Sequence, residues 1–337
     1  MKALVYTAVG AVEIMEMPEH VASMGEVKIK VEATGICGSD VHGFLGHSSR
    51  RLPGLILGHE TLGRVESWDA ALTGKRVSVN PLNSCQECAA CRSGRHNCCT
   101  SWRLLGMDTL PGGFAEYIVV PRRNVHILPD DVSAAEAVMV EPLANAFHLL
   151  SMIPPTAGVL PTIAILGSGT LGACIISVAK ARGLQIVAVA EPNPERAKVA
   201  KALGATNVID PTASDVAEAI LEATDGVGVS VVIDAVGRAG TRNTAARAVA
   251  RGGTALLLGL DEGPTSFDFY DLVRREVRLQ TSFAYTESDF AQALRFVTAK
   301  AADFQPWTEV MNLEEGQRAF DKLVHNRGDR IKIALVP

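Results

Sequence analysis

An apolar run, Thr162-Ile163-Ala164-Ile165-Leu166, leads into Gly167-Ser168-Gly169-Thr170-Leu171-Gly172, and an Ala/Ile/Val-rich helical pattern follows. Strand, glycine turn and helix in this order restrict what the chain can become. Gly167 suits a tight turn, Gly169 lets backbone approach a pyrophosphate, and Gly172 lets helix and strand pack closely. The following helix, starting at Thr170 and Leu171, presents free N–H groups and a positive dipole end to an anion. A GxGxxG run is weak evidence alone, but here it sits inside a repeated pattern. Strands read at Thr162–Leu166, Ile186–Ala190, Asn207–Ile209, Ser230–Val236, Thr254–Gly259 and Val277–Phe283, with helices at about 170–182, 194–203, 213–224 and 239–250. Alternation of this kind implies a doubly wound parallel sheet. Glu191 closes the second strand, nineteen residues after Gly172. An acid there accepts hydrogen bonds from a ribose 2′-hydroxyl and repels a 2′-phosphate, favouring NAD over NADP. Arg196 lies close by in sequence and works against that preference.

Before residue 150 the texture differs. Short strand-like pieces at Lys2–Tyr6, Glu26–Ala33, Arg64–Glu66, Arg76–Asn80 and Ala115–Val120 are separated by Gly, Pro and Asn turn signals, as in a β-rich domain with long loops. The last fifty residues return to a mixed texture, with helices near 287–300 and 313–324 and a final strand Lys332–Val336. The expected domains are 1–150, 151–285 and a C-terminal segment, 286–337, that returns to the first. A chain of 337 residues is long enough for two cores.

Composition excludes several classes. Lys and Arg total 32 against 37 Asp and Glu, a net charge of −5, so no polyanion-binding surface is expected and nucleic acid is not a partner. No uncharged apolar run reaches the roughly 18 residues of a membrane span. The N-terminal residues read as a strand rather than a signal peptide, and a cytoplasmic location is expected.

Five of seven cysteines fall between 85 and 99. In a reducing compartment such a cluster points to metal rather than disulfides. Cys85, Cys88, Cys91 and Cys99, separated by turn-forming residues, suit a closed tetrahedral zinc site in a lobe at about 81–103. An iron–sulfur cluster is the rival, disfavoured by the lack of a following Cys-Pro. Cys98, next to Cys99, is an alternative fourth ligand. Cys174 reads as packing.

Three further segments carry ligand chemistry: Gly35-Ile36-Cys37-Gly38-Ser39-Asp40-Val41-His42, Gly58-His59-Glu60 and Glu141-Pro142-Leu143-Ala144. Each alone has an ordinary reading as packing, core histidine or helix-end acid. Their order together with the cysteine lobe and the glycine turn resembles the zinc-dependent medium-chain dehydrogenases, in particular the polyol and threonine dehydrogenase branch. The resemblance covers the whole chain. It implies a GroES-like β-rich catalytic domain joined to a Rossmann-type doubly wound sheet. It implies two zinc ions per chain, one structural and one catalytic. Cys37 and His59 would bind the catalytic ion, with Glu60 or Glu141 as the carboxylate ligand. Asp40 would orient His59, Ser39 would hydrogen-bond the substrate hydroxyl, and His42 would relay its proton to solvent through the nicotinamide ribose. Gly38 stands where some alcohol dehydrogenases carry a phosphate-binding Arg. The reaction implied is hydride transfer between a secondary alcohol or polyol and NAD, in a homodimer or homotetramer. The alternatives are a phosphorylated or amino-substituted polyol, or NADP-linked chemistry.

Phe44, Leu45, Trp102, Met107, Phe283 and Tyr285 are candidates for the substrate pocket, with core packing as the alternative for each. Gly43 stands where polyol dehydrogenases of this type can carry a larger aromatic, so a strict sorbitol-like pocket is not implied. Arg50 and Arg51 read as a solvated surface pair, or as contacts for a substrate phosphate or carboxylate. Histidines 20, 47, 96, 126, 148 and 325 have no motif support. Thr254–Gly259 and Val277–Phe283 are the nominated subunit-pairing strands. A zinc-free quinone or enoyl reductase, or a nonenzymatic nucleotide sensor, are the competing classes. The first has no need of Cys37, His59, Glu141 and the cysteine lobe, the second no need of Ser39 and His42.

Overall fold

The computed structural model describes residues 1–66, 69–154, 160–325, 328 and 330–337. The chain divides into two compact units. One comprises Met1–Glu141 with Thr286–Pro337, the other Pro142–Tyr285. The division falls after Glu141, nine residues before the expected 150/151 boundary. The reason is local. The helix Val140–Ser151 runs through the boundary without a break, and Pro142 sits in its first turn, where the missing N–H has no intrahelical partner to lose.

The first unit is built on a seven-stranded sheet. Its path runs Val125–Ile127, Arg76–Val79, Glu60–Val65, Glu26–Gly35, Lys332–Val336 and Thr308–Asn312, and Tyr117–Pro121 also pairs with Glu26–Gly35. Valine and isoleucine at alternate positions of Glu26–Gly35 face the core, as a pleated strand requires. The expected strand Arg64–Glu66 is the end of a longer one, Glu60–Val65, because Glu60, Thr61 and Leu62 continue the ladder against Gly35, Thr34 and Ala33. Gly35 meets Glu60 on one side and Ala334 on the other. A Cβ on Gly35 would come 2.1 Å from Glu60 Oε2, so glycine there leaves room for the carboxylate.

The short helix Gly38–Phe44 follows this strand. Cys37 is its extended N-cap, and its backbone N–H donates to Asp40 Oδ2 at 3.0 Å, an arrangement that ties the first turn to the cap. Val41 and Phe44 anchor the helix, the Phe44 ring stacking on Phe320 at 4.8 Å between centroids. Phe44 is therefore core rather than pocket, and Leu45 packs against the same core. The strands Ala11–Glu16 and Leu55–Ile56, flanking Lys2–Ala8 in a separate sheet, were not legible in the sequence.

The second unit holds six parallel strands in the order Val208–Ile209, Gln185–Ala190, Thr162–Leu166, Val229–Asp234, Val249–Leu257 and Arg278–Thr281. Strand order reverses beside Thr162–Leu166, the position at which nucleotides bind in doubly wound sheets. Helices Thr170–Ala181, Pro194–Leu203, Val216–Glu222 and Ala239–Ala248 are the expected ones, trimmed at their ends. The strand expected at Thr254–Gly259 is not an edge. It runs Val249–Leu257 and pairs on both sides, so its apolar run is a mark of burial in mid-sheet. Cys174 and Tyr285 are buried in this unit. Among the described residues no helix is long and apolar enough to cross a membrane.

Candidate metal and nucleotide sites

Sγ of Cys37, an imidazole nitrogen of His59 and a carboxylate oxygen of Glu60 lie within 4.8 Å of one another. The strand Glu60–Val65 begins at Glu60, and the capped turn at Cys37 presents its sulfur at the end of the neighbouring strand. The Asp40 carboxylate, wholly buried, has Oδ1 3.4 Å from His59 Nδ1. That leaves the other ring nitrogen for the cluster, the usual arrangement of a metal-binding imidazole held by a carboxylate. Burial opposes charge on His59, but Asp40 and the Cys37 sulfur outweigh it and hold its pKa well above the ordinary value. Burial likewise opposes charge on Asp40, and His59 and Arg51 overcome it, bringing the carboxyl down to about 2. A half-buried cysteine sulfur with a buried imidazole and a buried carboxylate fits a zinc site of three protein ligands with a fourth position open. Glu141 is buried nearby and is not one of the three clustered donors; its charge is felt at Lys332.

Lys332 is the member of this site that the sequence concealed. It reads as the polar first residue of an apolar strand. In the structure it is 1% exposed, and its Nζ lies 2.6 Å from both carboxylate oxygens of Glu60. A third hydrogen bond goes to the Ile36 carbonyl at 3.1 Å. Burial alone would favour the neutral amine, yet Glu60 and Cys37 raise its pKa.

Arg50 and Arg51 depart from the reading as a solvated pair. Arg50 holds Asp108 through two hydrogen bonds, at 3.0 and 2.6 Å, and lies over the Trp102 ring at 4.1 Å. Arg51 is buried and donates to Ser39 Oγ at 3.0 Å. His42, half-buried, has its ring 5.1 Å from that of the exposed His47.

Sulfurs of Cys85, Cys88, Cys91 and Cys99 also lie within 4.8 Å of one another. The Cys88–Cys91 and Cys85–Cys99 separations are 3.5 Å, and Cys85–Cys91 is 3.8 Å. Zinc–sulfur bonds of about 2.3 Å place tetrahedral sulfurs about 3.8 Å apart, so four thiolates here fit one ion. None of the seven cysteines is in a disulfide, and Cys98 is exposed and outside the cluster. The backbone N–H of Cys91 donates to Cys88, whose thiol is pulled down to about 6. Such donation to sulfur suits a thiolate ligand.

At the glycine turn Gly167 has φ +90°, and a Cβ on Gly172 would come 2.0 Å from the Gly167 carbonyl oxygen. Gly169 is different. Its Cβ would meet only Arg196 Nη1, at 3.8 Å, so the space beside it is open to a ligand. Glu191 is more engaged than expected. Its Oε2 accepts from the backbone N–H and hydroxyl of Ser168, at 2.9 and 3.1 Å. Its Oε1 accepts from the Asn193 N–H at 3.0 Å and lies 3.1 Å from Arg196 Nη2. The acid thus ties the glycine turn to the end of the second strand.

Comparison with known proteins agrees with this geometry. Residues 23–130 match the alcohol dehydrogenase GroES-like domain, and residues 170–299 match zinc-binding dehydrogenases. The sorbitol dehydrogenase of Bacillus subtilis (strain 168) is 31% identical over 349 residues, spanning 100% of this chain and 97% of that protein. A short chain alcohol dehydrogenase of Escherichia coli CFT073, complexed with NADH, superposes with a TM-score of 0.91 at 27% identity, covering 100% of this chain and 99% of that one. A Sinorhizobium meliloti 1021 protein bound to NADP gives 0.90 at 29% identity, covering 100% and 99%. A β-rich GroES-like domain, a doubly wound nucleotide fold and full-length similarity to a polyol dehydrogenase place the chain in the zinc-dependent medium-chain dehydrogenase family, as an oxidoreductase of the alcohol and polyol type.

Proposed function

We propose that the protein is an NAD-linked dehydrogenase of a secondary alcohol or polyol that carries two zinc ions per chain. The observation that carries this reading is the largely buried cluster of Cys37, His59 and Glu60, three donors that leave a tetrahedral ion one further position. When bound, the zinc there supplies a Lewis acid that favours ionisation of the substrate hydroxyl, and NAD supplies the hydride acceptor. Cys37 and His59 hold the ion, and Asp40 fixes the His59 ring. Glu60 is the nearer carboxylate, with Lys332 balancing its charge, and Glu141 is the alternative ligand. Ser39 accepts the substrate proton, and His42 passes it to solvent. Cys85, Cys88, Cys91 and Cys99 hold the second ion, closed to substrate.

Gly167, Gly169, Thr170, Leu171 and Gly172 form the pyrophosphate turn. Glu191, buried and negative, favours a 2′-hydroxyl over a 2′-phosphate, and Arg196 lowers the selectivity by sharing its charge. We place the protein in the cytoplasm, where four clustered thiols stay reduced for metal. We infer a homodimer or homotetramer that pairs along the outer strand Arg278–Thr281, beside which Phe269, Tyr270 and Val273 are exposed.

Zinc content by mass spectrometry and absorbance at 340 nm over a panel of polyols and secondary alcohols test the reading. Two zinc ions per chain and NADH formation are expected. One ion or fewer, or alkene reduction with NADPH and no alcohol oxidation, would refute it.

A further inference from the structure

We propose that Arg51 is a positioning residue for the dehydrogenase reaction, holding the Ser39 hydroxyl in the orientation that meets the substrate oxygen, and that Gly43 is glycine to make room for it. The proposal rests on the reading of Ser39 as the group that receives the substrate proton.

Arg51 lies in the loop ahead of Leu55–Ile56 and is 4% exposed. A buried guanidinium is costly unless its donors are used. The nearest anion is Asp40, with Nε 3.5 Å from Oδ1. That contact is ionic without being a hydrogen bond, for both Nε and Oδ1 are buried without a hydrogen-bond partner. The one hydrogen bond from the guanidinium among the described residues runs to Ser39 Oγ, at 3.0 Å. A side chain serving only as counter-ion to Asp40 would turn its fork onto the carboxylate, as Arg50 does with Asp108. Arg51 instead spends its directed bond on a neutral hydroxyl.

The chemistry of that bond is specific. Ser39 Oγ has two acceptor lone pairs and one proton. Arg51 occupies one lone pair. The second remains for the substrate hydroxyl, and the Ser39 proton is left to pass onward. A cationic donor to Oγ also polarises the Ser39 O–H, so that its own proton is released onward more readily as the substrate proton arrives. With Arg51 absent, the hydroxyl is free to rotate and the acceptor direction is lost.

Gly43 supplies the second observation. Its backbone has no left-handed φ, so conformation does not require glycine. Space does. A Cβ on Gly43 would come 2.5 Å from Arg51 Cδ and 2.9 Å from its Cβ. An aromatic at this position would occupy the volume of the arginine stem. Gly43 and Arg51 therefore form one unit, the missing side chain of one filled by the other.

The test is a double-mutant cycle on the zinc-loaded, full-length enzyme with sorbitol and NAD as probes. The variants are Arg51→Met, Arg51→Lys, Ser39→Ala and the Arg51→Met/Ser39→Ala pair, with crystal structures of wild type and Arg51→Met. Arg51→Met is expected to lower kcat about tenfold, less than direct loss of an oxyanion donor, with KM within about threefold. Arg51→Lys restores part of kcat, and Arg51→Met has no further effect once Ser39 is alanine. The Ser39 hydroxyl, single in wild type, takes more than one rotamer in Arg51→Met. Equal losses in both backgrounds, a change confined to KM, or loss of zinc would overturn the proposal, as would an unmoved hydroxyl. If wild type oxidises neither sorbitol nor other alcohols, the proposed function fails, and the Ser39 rotamer still decides the role of Arg51.

Discussion

Lys332 and Glu60 form a buried ion pair in which one ammonium nitrogen stands 2.6 Å from both carboxylate oxygens. They are 272 residues apart in the chain, and Gly35 lies between their strands. The pair sets the charge of the cluster and joins the C-terminal strand to it.

Removing the lysine alone leaves a buried carboxylate without its partner. Lys332→Met should cost about 3–5 kcal/mol, whereas Lys332→Met/Glu60→Leu should recover most of it, since an apolar pair avoids the desolvation penalty. Urea unfolding of the three proteins checks this. Equal stability of Lys332→Met and wild type would show that the pair is not formed.

The two metal sites should separate in stability. Cys88→Ser removes a ligand of the lobe, whose fold depends on its ion, and should lower Tm by about 10 °C. Cys37→Ser should abolish turnover with a Tm change of only a few degrees, at about 2–4 °C per kcal/mol. Each variant should retain one zinc per chain by mass spectrometry. Equal Tm losses would contradict the separation.

Glu191→Ala removes the acceptor that fixes Ser168 and the turn. KM for NAD should rise about tenfold, the scale of one lost charge-assisted hydrogen bond. KM for NADP should fall, because Arg196 is then free to meet the 2′-phosphate. Initial rates with both nucleotides provide the measurement, and an unchanged NAD/NADP ratio would remove Glu191 from cofactor selection.

His126 is half-buried against the Phe290 ring, 4.8 Å between centroids, and its buried Nε2 has no hydrogen-bond partner. Burial lowers its pKa below 6.5, opposed by the Glu287 charge. The unfolded chain therefore takes up a proton at a higher pH than the folded one. The stability contributed by the neutral ring is present above pH 6.5 and lost as pH falls through the folded pKa. Tm of wild type should drop between pH 7.5 and 5.5, and His126→Phe should show a smaller drop. Parallel Tm profiles for the two proteins would refute the assignment.

Where the chemistry depends on residues adjacent in sequence, it could be read directly. Gly167 to Gly172 form a local turn, and the sulfurs of Cys85, Cys88, Cys91 and Cys99 gather at one point within a short loop. The strand and helix alternation of residues 162–257 was legible for the same reason, since burial imposes its period residue by residue, whereas the helix Phe269–Arg275 was not expected. Strands Ala11–Glu16 and Leu55–Ile56 were not legible, because the alternation of Val12, Glu13 and Ile14 is short and a two-residue run has no period of its own, and both form against Lys2–Ala8.

The sequence by itself determined the family, the local turns and which side chains offer metal-ligand chemistry. Tertiary structure alone decided that Lys332 neutralises Glu60, that Arg51 leaves the solvent to meet Ser39, and that the Thr254 strand lies inside its sheet. These are contacts between segments with no local relation. Whether a charged side chain is solvated or buried depends on what the rest of the chain packs over it, and no pattern within a few residues encodes that.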